Sequence, residues 1–223
     1  MVTVLENDQP HLETHAEERA SSITHGAGIV FSIAAMIALL TVADVHRDAR
    51  RIVTAAVYGF TLLLMYTAST CYHCVRSPRA KHAMRVFDHA SIYLLIAGTY
   101  TPIVLVAVGG TWGWSMFGVV WIIAVAGVIL KMFFVDRYEP LSVTLYLATG
   151  WLALIAIKPM IAALPAGAMA WIFGGGVAYT AGVVFFLWDH LPFNHAIWHL
   201  FVIAGSVCHF IAVLLYVLPV HPV

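Results

Sequence analysis

The sequence predicts an all-α integral membrane protein, a bundle of seven transmembrane helices with a cytoplasmic N-terminus and an extracytoplasmic C-terminus. Three observations carry that prediction. Hydrophobic residues make up 62% and charged residues only 10% of the 223 residues, against about 25% charged in an ordinary soluble domain. Such a chain has too little polar surface to face water all round. Seven apolar runs follow one another with brief connections, most of them close to the roughly 20 residues that a spanning helix needs. Basic residues are divided unevenly between the two sides those runs would define, which sets orientation.

Taken in order, the runs cover about 23–43, 52–75, 90–108, 112–134, 141–157, 166–188 and 196–217. Before the first lies a polar stretch, 1–20, with Glu6, Asp8, Glu13, Glu17 and Glu18 and no apolar core. It is expected as a short cytoplasmic segment and not a cleavable signal peptide, leaving 21–223 as the transmembrane domain. Breakers mark several connections: Ser77-Pro78, Gly109-Gly110, Glu139-Pro140 and Leu191-Pro192. The fifth run is the shortest and extends to Met160 only by passing Pro159. With the N-terminus inside, that side holds Arg19, Arg76, Arg79, Lys81, Arg85, Lys131 and Arg137; the other holds Arg47, Arg50, Arg51 and Lys158. Seven against four selects the N-in orientation and a multi-pass place in the cell (inner) membrane. The formal net charge of zero argues against nucleic acid as a partner, and a membrane lipid is the expected one. Cys71, Cys74 and Cys208 are odd in number and lie in apolar segments, so no disulfide framework is expected. Cys71 and Cys74 read as small packing residues.

Ionisable residues in or near spans are expensive, and are functional candidates by default. Here the second run ends with Ser69-x-x-x-His73, the third helix is expected to begin at Asp88, and the seventh opens with His195-x-x-x-His199. An even-numbered helix ends on the side where odd-numbered helices start, so all five residues fall at one membrane face. Residues four apart share one helix face. Three imidazoles, His73, His195 and His199, with one open position match a catalytic zinc site. Zinc lowers the pKa of a bound water from about 15.7 to about 7. Asp88 could hold that water and accept its proton, or ligate the metal directly in a closed site. The Ser69 hydroxyl could orient the site or hydrogen-bond a developing oxyanion. A lone His-x-x-x-His on an apolar helix is more often a pair of hydrogen-bonded core histidines; the third histidine and the aspartate at the same depth favour the metal.

The other polar residues carry less. His209 lies about 15 Å beyond His199 by helical rise, and is expected to hydrogen-bond another helix. His25 reads as an interfacial histidine, with a supporting role behind the metal ligands as the alternative. Asp189 and His190 are expected in solvent, and His11, His15, His46, His82 and His221 in tails or loops. Trp112, Trp114, Trp151, Trp188 and Trp198 read as interfacial belts or packing.

At this point the residues resemble a known family. Ser69-Thr-Cys-Tyr-His73, the stretch from Phe87-Asp-His-Ala-Ser-Ile-Tyr through Gly98-Thr-Tyr-Thr-Pro102, and Asn194-His-Ala-Ile-Trp-His199 are similar to the bacterial hemolysin III branch of the progestin and adipoQ receptor (PAQR) family. Thr24-His-Gly-Ala-Gly28 and Gly205-Ser-Val-Cys-His-Phe210 fit as well. The resemblance implies a seven-helix fold with the N-terminus inside. It implies zinc on the residues matching His73, His195 and His199, a water-contacting aspartate at Asp88, and a serine beside it at Ser69. Eukaryotic relatives look like ceramide hydrolases and hormone receptors; bacterial members are linked by name to haemolysis and otherwise to membrane-lipid or energy homeostasis. Two expectations follow: a zinc hydrolase of a lipid amide or ester, or a non-enzymatic lipid sensor whose zinc is structural. A haemolysin-type membrane-active protein is a third, physically awkward for a chain built to reside in its own membrane.

Overall fold

Lipid offers the backbone no hydrogen-bond partner, so a chain of apolar runs must satisfy its own N–H and C=O groups, and helices do so within each segment. The computed structural model, which describes residues 13–45, 47–135 and 137–219, is all helical with no strand among those residues. In chain order α1 is His15–Val45, α2 Ala49–Cys74, α3 Pro78–Pro102, α4 Gly110–Phe134, α5 Glu139–Gly150, α6 Ile157–Ala163, α7 Ala166–Phe186 and α8 Asn194–Ala212. α3 and α8 widen into π-helical stretches, Ile103–Val108 and Val213–Val217, and α5 tightens into a 3-10 turn at Trp151–Leu154. Among the described residues, six helices are long and apolar enough to cross a membrane; α5 and α6, bent by 55° at a short break, add a seventh span if taken as one.

The helices depart from the apolar runs where polar residues take over. α1 begins at His15, eight residues before the first run. Its start is a capping box: Glu17 N–H donates to Thr14 Oγ1 at 3.3 Å, and Thr14 N–H and Oγ1–H both donate to Glu17 Oε2 at 2.8 Å. α3 begins at Pro78, not at Asp88, which therefore sits nearly three turns inside the helix. Ser77-Pro78 is thus a helix entry, with proline in the first turn where its missing N–H costs nothing. The fifth run breaks between Leu154 and Ile157. Pro159 has no N–H to give to the carbonyl four residues back, and the chain bends there. Between α3 and α4, Gly109 and Gly110 take φ values of 61° and 53°, backbone that side chains with a Cβ disfavour.

Successive helices joined by short turns pack on one another, α1 on α2, α2 on α3, α3 on α4 and α7 on α8; α8 closes back against α1. The first and last helices are therefore neighbours. α1 buries one stripe, Glu17, Ser21, His25, Gly28, Ser32, Ala35, Leu39 and Ala43, polar at its start and apolar at its end. Large apolar side chains such as Ile23, Val30, Ile122 and Phe133 lie on the outside, as expected of surfaces that meet lipid rather than water. Inside, Ser206 of α8 gathers three tyrosines. Its hydroxyl takes Tyr66 OH at 3.0 Å and lies 3.0 Å from Tyr179 OH, and its carbonyl takes Tyr58 OH at 3.4 Å. Two of the counted basic residues are inside the bundle: Lys131 on α4 and Arg51 on α2 are buried, and an Arg51 Nη1–H donates to the Leu218 carbonyl.

Candidate metal centre

His73 stands in the last turn of α2, and His195 and His199 in the first turns of α8. The entry to α8 is set by Phe193, whose φ is 58° and whose N–H donates to Glu17 Oε1 at 3.0 Å. The start of α1 thereby fixes where α8 begins. Each of His73, His195 and His199 offers one nitrogen, and these all lie within 4.8 Å of one another. Their ring centroids are 4.9, 5.2 and 4.6 Å apart for His73–His195, His73–His199 and His195–His199.

The hydrogen bonds define which nitrogen is available. His73 Nδ1 lies 2.8 Å from Glu18 Oε2, His195 Nδ1 lies 2.9 Å from Glu13 Oε1, and His199 Nδ1 lies 3.2 Å from the Ser21 carbonyl. Carboxylates and carbonyls only accept, so each Nδ1 carries the proton, and a neutral ring then has a bare lone pair on Nε2. All three Nε2 atoms are buried without a hydrogen-bond partner among the described residues. A buried polar atom left so costs about 1–3 kcal/mol, and three of them in one cluster form a group that could hold a metal ion. The donor set, three imidazole nitrogens, suits a divalent transition metal. Burial pushes the Glu13 carboxyl up, but its hydrogen bond to His195 and the nearby His195 and His73 rings outweigh that and hold it below the ordinary carboxylate value.

Asp88 is buried on α3, with the buried Ser69 hydroxyl, one turn before His73, close by. Asp88, His195 and His25 border a cavity of about 140 Å³ whose wall is otherwise mostly apolar. Lys131, Trp151 and His209 border it too, the last about 15 Å along α8 from His199 by helical rise. All five residues singled out from the sequence thus gather at one end of the bundle, the three histidines as one cluster, Asp88 at the cavity wall and Ser69 one turn before His73.

Several expectations are corrected. His25 is not interfacial: it is buried and stacks on His199 with ring centroids 3.4 Å apart. His209 bonds within its own helix, Nδ1 to the Gly205 carbonyl at 3.0 Å, and stacks on Tyr179. Cys71 and Cys74 are exposed rather than packed. His15 and His82 belong to α1 and α3, Asp189 and His190 are exposed as expected, and His11, His46 and His221 lie outside the described residues. Sequence reasoning missed Glu13 and Glu18 at the centre. A signal was present, since Glu17, Ser21 and His25 recur every fourth residue and extend the buried stripe of α1 upstream of its apolar run.

Comparison with known proteins agrees over nearly the whole chain. A family model described as haemolysin-III related matches residues 14–210. Hemolysin-3 of Bacillus cereus is 45% identical over 203 residues, covering 91% of this chain and 93% of that protein. The Hemolysin-3 homolog of Bacillus subtilis (strain 168) is 42% identical over 203 residues, covering 91% and 95%. More distant is the human monocyte to macrophage differentiation factor, 30% identical over 203 residues, covering 88% and 83%. With that coverage, the chain belongs to the haemolysin-III-related proteins of the PAQR family.

Proposed function

We propose that this protein is a zinc-dependent hydrolase of a lipid amide or ester, working at the cytoplasmic face of the cell membrane with its N-terminus inside. The observation that carries the reading is the set of three buried, unpartnered Nε2 atoms beside Asp88, at one end of an apolar cavity. His73, His195 and His199 would hold the zinc. When bound there, the ion supplies a Lewis acid and lowers the pKa of a water from about 15.7 to about 7. Asp88 would orient that water and accept its proton, with the Ser69 hydroxyl close to its carboxyl. The cavity would take the acyl chain and keep bulk water from the scissile group.

The test is direct. Protein purified with zinc is incubated with a membrane-lipid extract and with a short-chain ceramide, and mass spectrometry follows released fatty acid. Product formation that requires both zinc and Asp88 supports the reading. Stoichiometric zinc with no product from any lipid overturns the hydrolase and leaves the zinc a structural clamp in a lipid sensor. Absence of zinc from the wild-type protein removes the metal as well.

A further inference from the structure

We infer that the start of α1 is the positioning layer of the metal centre: Glu18, Glu13 and the Ser21 carbonyl hold the Nδ1 protons of His73, His195 and His199. All three rings would then present Nε2 to one ion. The inference rests on the metal reading above and adds residues to it. Its basis is geometric. Three imidazoles from two distant parts of the chain have their Nδ1 atoms satisfied by one short segment, 13–21. Thr24 completes the pattern: its single hydroxyl proton goes to the α1 carbonyls of Ala20 and Ser21 at 3.0 and 2.9 Å, so its oxygen accepts from His199 Nδ1 at 3.2 Å.

Glu18 is itself held. Lys81 Nζ donates to Glu18 Oε1 at 2.6 Å while standing 4.2 Å over the Tyr72 ring. Glu13 Oε1 lies on His195, and its Oε2, with no hydrogen-bond partner among the described residues, lies 3.6 Å from His73 Nδ1. A carboxylate on the far nitrogen fixes the tautomer, stops the ring from flipping and makes the ligating nitrogen more basic. Loss of such a partner lowers metal affinity about 10–100-fold. This role also accounts for a helix that begins eight residues ahead of its apolar run. Those residues are polar, and with Glu13 just ahead of them they carry the Nδ1 partners of all three histidines.

The experiment uses the full chain in detergent, with zinc affinity from competition against a chelating indicator and the visible d–d spectrum of the cobalt-loaded protein. Glu13→Ala and Glu18→Ala should each weaken zinc binding about 10–100-fold and alter the cobalt bands, because the freed ring takes other orientations. Glu13→Gln and Glu18→Gln keep an acceptor without the charge, and should recover part of the affinity and most of the spectrum. Ser22→Ala is the control: it removes the contact of Ser22 Oγ with Cys74 Sγ at 3.0 Å, from the same part of α1 to the same end of α2, and should change neither readout. Affinities within twofold of wild type and unchanged spectra in both Ala variants, on monodisperse protein, overturn the inference while the metal reading stands. Metal loss as complete as in His73→Ala would make the carboxylate a ligand and also overturn it. A wild-type chain that binds no metal removes the metal reading and this inference with it.

Discussion

Adding one methyl group at Gly28 tests whether the first helix is placed against the second as tightly as the site requires. A Cβ at Gly28 would lie 2.3, 2.5 and 2.7 Å from Cδ1, Cε1 and Cγ of Tyr66, where carbon atoms sit comfortably at about 3.5–4.0 Å. The ring would have to retreat by more than about 1 Å. It has little room, being fully buried, with its hydroxyl bonded to Ser206 Oγ at 3.0 Å and its edge against His25 at 5.0 Å. Overpacking of this kind costs about 1–3 kcal/mol, and a strained or lost hydrogen bond adds about 1 kcal/mol. Gly26 lies two residues away in the same helix, and a Cβ there meets nothing within 4 Å. Both Gly→Ala changes gain the same helix propensity, about 1 kcal/mol, so the difference between them isolates the clash. Gly28→Ala should be less stable than Gly26→Ala by about 2–4 kcal/mol, measured by circular dichroism in a mixed-micelle sodium dodecyl sulfate titration. Because Tyr66 touches His25, which stacks on His199, Gly28→Ala should weaken zinc binding as well. Equal stability of the two variants would refute the packing of α1 on α2 and, with it, the placement of His25.

Further outcomes are expected. His73→Ala, His195→Ala and His199→Ala should each lose most of one bound zinc per chain by elemental analysis, whereas His209→Ala, whose ring bonds only the Gly205 carbonyl, should keep it; full occupancy in His195→Ala would sink the ligand assignment. Asp88→Asn at saturating zinc should keep the metal and lose any lipid hydrolysis, because an amide cannot accept the proton; unchanged turnover would remove the role given to Asp88. Alkaline phosphatase fused after Val223 should be active and green fluorescent protein dark, and the opposite pattern would invert the topology. Arg51→Met should lower stability by about 1–3 kcal/mol, because it leaves the buried Leu218 carbonyl without its donor, read in the same detergent titration.

What could be read from the sequence follows from what an apolar solvent makes visible. Membrane helices announce themselves by apolar runs, so α2, α4 and α7 were found to within a few residues of their ends. Helix ends built from polar residues are invisible to that signal. The first turns of α1 carry Glu17 and Glu18, and those of α3 carry Arg79, Lys81 and Arg85; both stretches read as tail or loop. The histidines on α2 and α8 stood out because three of them and an aspartate fall at one membrane depth, where ionisable residues are expensive; the four-residue spacing alone would have read as packing. Glu13 and Glu18 were not, because an acidic residue in a polar segment looks like one more solvated charge until a partner 55 or 182 positions away is placed beside it. His25 failed for the same reason: its burial is decided by α8 packing on α1, a contact between the two ends of the chain.

The distribution of polar residues reverses the rule for soluble proteins, and that reversal locates the site. Ile23, Val30, Phe60, Ile122 and Phe133 face outward, whereas Ser21, Ser32, Thr61, Ser69, Ser91, Thr101 and Ser206 are buried. Most of these hydroxyls need nothing from outside their own helix; Ser32, Thr61, Ser91 and Thr101 donate to carbonyls three or four residues back. Such bonds are local and could form in any bundle. The imidazole Nε2 atoms differ, since no local acceptor or donor meets them, and they come from helices that meet only when α8 has closed on α1. A cluster that is expensive to bury, assembled from the last contact the topology makes, is not explained by packing. A metal ion of the kind proposed above would account for it, beside a cavity that Asp88 and His195 line.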